Sequence, residues 1–259
     1  MRIADSNVLF GFWPRRRLKA SLQAVAESAA ASGVSRQLIC SIRGIFHDFV
    51  AGNDETLRAC AGDSRFVPAA ALNPLRWLDG AGEVDRMLAA GVRVFRFFPE
   101  YQGWDYRLRP FRRLLRHIGD AGGVAMTGAR LGGHLEAGAV SLLLAALEDT
   151  GARCIVTGAY YGNLAEVLEA ARNYPDLYVE THLLNGPDSL EVVAAEIGTR
   201  RMIYGSGAPL HYVASSLLPL QHAAIDDEAR RDIAGRSLAR LLGWADLGWA
   251  DLGWADADR

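Results

Sequence analysis
Eight short apolar runs of strand length recur along the chain, and between them apolar residues return at helical spacing. The runs cover residues 2–5, 37–41, 66–72, 92–97, 124–127, 153–157, 177–181 and 202–204. Phe111, Leu114, Leu115 and Ile118 fall at i, i+3, i+4 and i+7; Leu164, Val167, Leu168 and Ala171 repeat that spacing, with Asn163 as N-cap and Glu166 three residues on. Val84, Met87 and Leu88 form a shorter stripe closed by Gly91, and Leu238 and Leu241 share a face after the acidic start Asp226, Asp227 and Glu228. Strand followed by helix, eight times over 259 residues, predicts an α/β chain folded as one (β/α)8 TIM barrel. A doubly wound open sheet is the alternative.

The C-terminus breaks the pattern. Leu242-Gly243-Trp244-Ala245-Asp246 recurs at 247–251 and again at 252–256. Five residues advance a helix by about 500°, so the three tryptophans share no face. The chain therefore divides into a barrel over residues 1–243 and a repetitive tail over 244–259, appended after the last barrel helix. A second reading makes the tail a contact between copies in a homo-oligomer, because tryptophan is favoured in interface cores.

Composition narrows the class. Half the residues are hydrophobic and 22% charged, a globular balance. Twenty-eight basic against thirty acidic residues leave a net charge of −2, which gives no electrostatic basis for a nucleic-acid or anionic-membrane partner. Lys19 is the lone lysine among the basic residues, a skew expected of a GC-rich bacterial coding sequence, and it sits in the solvated run Arg15-Arg16-Arg17-Leu18-Lys19. Lysine chemistry is thereby excluded from any buried site. Cys40, Cys60 and Cys154 are odd in number and widely spaced, the mark of reduced, mostly buried thiols rather than a disulfide framework or zinc motif. The first residues lack the apolar core of a signal peptide, and Gly205, Gly207, Pro209, His211 and Pro219 interrupt the uncharged stretch 202–225, so a cytoplasmic protein without a membrane span is expected.

A barrel of this kind carries its site at the C-terminal ends of the strands. Those ends offer Asp5, Glu180, His182 and His211 for moving protons, and Asn7, Arg43, Arg96, Thr127, Arg130, Tyr160 and Ser206 for holding a substrate. The guanidinium forks of Arg43, Arg96 and Arg130 suit a carboxylate, and the plainer reading pairs them with Asp5, Asp48, Glu100 or Glu180. Arg96 stands out because Phe95, Phe97 and Phe98 surround it, where an unpaired charge is costly. Tyr101, Trp104, Tyr106, Tyr160 and Tyr161 either wall a cyclic ligand or pack loops. His47 and His134 fall in loops and His117 and His222 on or beside helices. A relocated metal site from Asp5, Glu180 and His182 is the minor alternative. Neither a phosphate-cradling glycine loop nor a Gly-x-Ser-x-Gly elbow is present, so no cofactor is expected.

Asp5-x-Asn7-x-Leu9-Phe10-Gly11, Asn53 opening a helix, Arg65-Phe66-Val67 before Ala70-Ala71-Leu72-Asn73-Pro74, Gly91-Val92-Arg93-Val94-Phe95-Arg96 followed by Phe98-Pro99, and Arg201-Met202-Ile203-Tyr204-Gly205-Ser206-Gly207-Ala208-Pro209 together resemble the amidohydrolase-2 branch of the amidohydrolase superfamily over residues 1–243. The resemblance implies a barrel that hydrolyses or decarboxylates small cyclic or carboxylated compounds with a strand-end metal. The family's metal-ligand positions are degenerate here. Its His-x-His falls on Asn7 and Leu9, its fifth-strand histidine near Thr127, its sixth-strand histidine at Gly158 or Ala159, its aspartate on Gly207, and the carbamylated lysine of some relatives near Arg96. The expectation is a metal-independent hydrolase or lyase for a small anionic or cyclic substrate; the rival is a catalytically silent barrel that binds a ligand or a protein partner.

Overall fold
A computed structural model describes residues 2–15, 17–129 and 137–244. Eight parallel strands form one sheet in sequence order: β1 (Ile3–Phe10), β2 (Val34–Ser41), β3 (Phe66–Leu72), β4 (Val94–Phe97), β5 (Val124–Gly128), β6 (Arg153–Thr157), β7 (Leu177–Glu180) and β8 (Met202–Ile203). The segment after β8 returns to β1. Ser6 N–H donates to Tyr204 O at 3.0 Å, Leu9 N–H to Ala208 O at 2.8 Å, and Val8 bridges Ala208 in parallel. A (β/α)8 barrel results, and the open-sheet alternative is set aside.

The strands were legible because each is a buried apolar run, and β3 and β6 match their expected bounds. β1 continues five residues past its expected end. Ser6 and Asn7 look like loop residues, yet their side chains are bonded where the barrel closes, as when Ser6 Oγ donates to Tyr204 O at 2.8 Å. Side chains alternate across a strand. Val8 and Phe10 accordingly face outward onto Val25, Ile39 and Phe66, beneath the helix Leu22–Ala31, while Asp5, Asn7 and Leu9 face the interior.

The helix Arg109–Asp120 buries Phe111, Leu114, Leu115 and Ile118, the stripe its spacing predicts. The helix Leu164–Asn173 starts where expected, but Asn163 makes no side-chain cap. Asn163 Oδ1 accepts from Tyr160 N–H at 2.9 Å instead, and Glu166 accepts from Ser141 N–H at 2.9 Å, tying neighbouring helices together. Asn53 lies within the helix Phe49–Cys60 rather than at its start. It clamps that helix to β3 through Ala71 N–H at 2.7 Å and Ala71 O at 3.1 Å.

The last described helix is Ser237–Leu242. Trp244, grouped with the tail by its repeat, packs in the core at 6% exposure, with the Arg36 guanidinium 5.2 Å from its ring centre. A boundary that spares the core thus falls after Trp244. Residues 245–259, including Trp249 and Trp254, lie outside the described residues, as do Arg130 and His134. Cys40 and Cys154 are buried free thiols and Cys60 is half-buried. Among the described residues no helix is long and apolar enough to cross a membrane.

Candidate active site
Where the barrel closes, four polar side chains lock together. Asp5 Oδ1 accepts from Asn7 N–H at 3.1 Å and from Ser206 N–H at 2.9 Å, tying β1 to the segment after β8. Its Oδ2 has no hydrogen-bond partner. Burial is the main reason this carboxyl is pushed up to about 6; the hydrogen bonds from Ser206 and Asn7 oppose the rise and the Glu180 charge adds to it. Glu180, fully buried at the end of β7, accepts from His182 N–H at 2.8 Å through Oε1, and its Oε2 stands 2.5 Å from His182 Nδ1. Asn7 Nδ2 donates to the same Oε2 at 3.3 Å.

Two glycines make room for this arrangement. A Cβ at Gly205 would stand 2.0 Å from Glu180 Oε1, so no larger residue coexists with the carboxylate. Gly207 has φ +69°, and its Cβ would lie 2.9 Å from His182 Cδ2 and 3.0 Å from His211 Cδ2. The two imidazoles therefore occupy the space beside residue 207, with ring centres 5.3 Å apart.

Across the barrel β4 delivers Arg96, 4% exposed. Its Nη2 donates to Asn7 Oδ1 at 2.5 Å and its Nη1 to Val8 O at 3.3 Å; the guanidinium lies 5.1 Å from the Phe98 ring centre. Among the described residues no carboxylate oxygen comes within 4.0 Å of it, so the expected alternative pairings with Asp5, Asp48, Glu100 or Glu180 do not form. Burial lowers its pKa, a drift that the charges of Glu180 and Asp5 resist. Burial likewise pushes the Cys40 thiol up to about 11, which leaves it protonated and inert.

Above these groups opens a cavity of about 160 Å³. Asn7, Arg96, Thr127, His182 and His211 reach it, between Leu9, Phe97, Phe98, Tyr101, Met126 and Leu210. Thr127 is held by Phe97 O at 3.3 Å and by Tyr106 Oη at 3.0 Å. Other expected residues are placed elsewhere. Arg43 is exposed and does not line the cavity, because the chain turns into the short helix Arg43–Phe46 directly after β2. Tyr160 is outside the lining, Ser206 is fully buried with its Oγ accepting from Ala208 N–H at 3.0 Å, and Asp5 and Glu180 lie behind the wall. Arg130 falls outside the described residues. Thr157 had no role assigned from sequence, Glu100 only that of an ion-pair partner for the strand-end arginines, and Gly207 only that of a lost metal-ligand position; an expected strand-end position was the signal for the first, and the close contact of Gly205 with Glu180 has no sequence signal.

The metal implied by the resemblance finds no ligand set here. Asn7 is engaged by Arg96 and Glu180, Leu9 is apolar, Thr127 bonds to Tyr106, and Gly158 and Gly207 have no side chain. Among the described residues no group of three or more His, Cys, Asp or Glu could hold a metal ion, and in the alternative set both Glu180 oxygens are taken up by His182 and Asn7.

No protein-family model matches the chain, and no curated protein sequence matches it. Solved structures do. A 5-carboxyvanillate decarboxylase from Sphingomonas paucimobilis is 14% identical with a TM-score of 0.74, over 93% of this chain and 99% of that one. A 2,6-dihydroxybenzoate decarboxylase from Rhizobium is 13% identical with a TM-score of 0.76, over 94% and 99%. A probable 2-pyrone-4,6-dicarboxylic acid hydrolase from Acinetobacter baumannii, with citric acid bound, is 12% identical with a TM-score of 0.66, over 94% and 100%. Likeness at this identity establishes a shared barrel fold over nearly the whole chain.

Proposed function
We propose that the chain is an acid–base enzyme, a hydrolase or lyase, acting on a small ring compound that carries a carboxylate, and that it works without a transition metal. One observation carries this reading. A buried guanidinium with no ion pair among the described residues and an imidazole oriented by a buried carboxylate face the same small cavity. A volume of about 160 Å³ matches a single ring, since an engineered cavity of about 150 Å³ accepts benzene.

Arg96 has five N–H donors and shows two of them to Asn7 and Val8, so the remaining edge is available to a carboxylate. Glu180 fixes the His182 ring through Nδ1, which leaves Nε2 as the nitrogen that takes or returns a proton. In hydrolysis His182 removes a proton from the attacking water and Arg96 holds the anionic end of the substrate; in a lyase step the same nitrogen exchanges a proton with the reacting carbon. Asp5, behind the wall, positions β1 and Ser206 and touches nothing in the cavity. The fold shared with decarboxylases and a probable hydrolase of carboxylated rings supports the substrate class. An open cavity with converging charges weighs against the silent barrel.

The test is turnover of a panel of ring carboxylates and their lactones by metal-stripped protein, beside H182Q. Turnover that survives chelation and is lost in H182Q is the expected result. One zinc, iron or manganese per chain that is needed for turnover, or an unaffected H182Q, overturns the reading.

A further inference from the structure
The same cavity holds a second unpaired charge of the opposite sign. Glu100, four residues beyond Arg96 and in the short helix Pro99–Gln102, lines the cavity and is half-buried. Among the described residues it forms no hydrogen bond or ion pair, and it stays more than 4.0 Å from the Arg96 guanidinium. Opposite charges in one small space would pair if the chain were built to neutralise itself, as Arg86 does with Glu83 at 2.7 Å. Here Asn7 and Val8 of β1 hold the Arg96 guanidinium, while Glu100 follows in the short helix after β4.

We propose that Glu100 is a specificity-determining residue and that the ligand is bipolar, a ring bearing both a carboxylate for Arg96 and a protonated amine for Glu100. This rests on the anion-capture reading above and narrows it. A simple monocarboxylate would satisfy Arg96 but meet the Glu100 charge across the cavity, so the same carboxylate that attracts the amine also rejects its uncharged analogues. A zwitterion leaves both protein charges paired and adds no net charge to a cavity whose Arg96 and Glu100 already cancel. The aromatic and apolar side chains of Phe97, Phe98 and Met126 line the space for a ring.

Calorimetric titration of the full chain with benzoate, benzylamine and 4-(aminomethyl)benzoate tests this. Wild type is expected to bind the zwitterion at least about tenfold more tightly than benzoate, E100Q to lose that advantage and to bind benzoate at least as tightly as wild type does, and R96M to weaken both acids. A zwitterion no tighter than benzoate, or an advantage that survives in E100Q, overturns the role of Glu100 and leaves anion capture standing. Benzoate binding that is unchanged in R96M, or absent from wild type, overturns anion capture and the proposal resting on it.

Discussion

The two sides of the strand-end cavity are built on opposite principles. On the side of β7, β8 and β1, Glu180, His182, Asn7, Asp5 and Ser206 bond to one another, leaving His182 Nε2 for the cavity and Asp5 Oδ2 buried without a partner among the described residues. On the side of β4, Arg96 leans on neutral acceptors and Glu100 on none. Groups bonded to each other keep one geometry and can aim a proton; groups left unpaired gain most from a ligand. The difference assigns chemistry to one wall and recognition to the other.

The largest expected effect tests the bonded wall. Gly205→Ala places a Cβ 2.0 Å from Glu180 Oε1, and since both are fully enclosed by the barrel closure neither can yield cheaply. We expect a loss of about 3 kcal/mol, read as a fall in Tm of roughly 6–12 °C, together with loss of turnover. An alanine variant as stable and active as wild type would show that the Glu180–His182 contact tolerates displacement, and the contrast between the walls would dissolve.

Asp5 gives a second test on the same wall, through pH. Its folded carboxyl holds a proton up to about pH 6, whereas in the unfolded chain it ionises near 3.8. Folding therefore takes up a proton between those values: the stabilising contribution is complete below pH 3.8 and lost as pH rises through 6, amounting to about 3 kcal/mol. Asp5→Asn keeps the Oδ1 acceptor and removes the titration. The stability difference between the variant and wild type should shift by about 2–3 kcal/mol in favour of the variant from pH 4 to pH 7.5, measured by denaturant unfolding at each pH. A flat difference would mean that Asp5 is already solvated or paired.

Recognition is broken more selectively by Arg96→Met. The variant should lose benzoate affinity by about 10–100-fold, the worth of hydrogen bonds to a charged group, while folding with a small loss from the orphaned Asn7 Oδ1 and Val8 O. Calorimetry gives the affinity and thermal unfolding the stability. Intact affinity with a drop of several kcal/mol would turn Arg96 into a structural residue and make the two walls alike.

Much of this was legible beforehand, for identifiable reasons. The strands and the stripe of the helix Arg109–Asp120 follow from burial at periods of two and 3.6, which a sequence displays directly. Arg96 was marked by its phenylalanine neighbours, and His182 and Glu180 by their place at the end of β7. What the sequence hid depends on contacts between distant segments. Asp5 is as polar as a surface residue, and nothing local says that Ser206, two hundred positions on, donates to it. Arg43 looks equivalent to Arg96 until the backbone turns it outward after β2. The tail repeat hides the opposite case, because three identical tryptophan phrases read alike although Trp244 belongs to the core.

The smallest expected effect is a control at the other end of the barrel. Trp244 packs beside Arg36 near the start of β2, the end opposite the cavity, so neither wall should sense what happens beyond it. A chain ending at Trp244 removes Trp249, Trp254 and four aspartates. If those residues are an appended repeat, Tm should move by less than about 2 °C, which is below 1 kcal/mol for a chain of this size, and benzoate affinity should not change. A chain ending at Gly243 differs by the one ring that is 6% exposed, and should lose roughly 2–3 kcal/mol for that burial. The pair of truncations separates core from appendage within a single repeat. Equal stability of the two would show that Trp244 contributes nothing where it packs, whereas a large loss already at Trp244, or dissociation of an oligomer, would make residues 245–259 a docking element and require the barrel to be understood together with them.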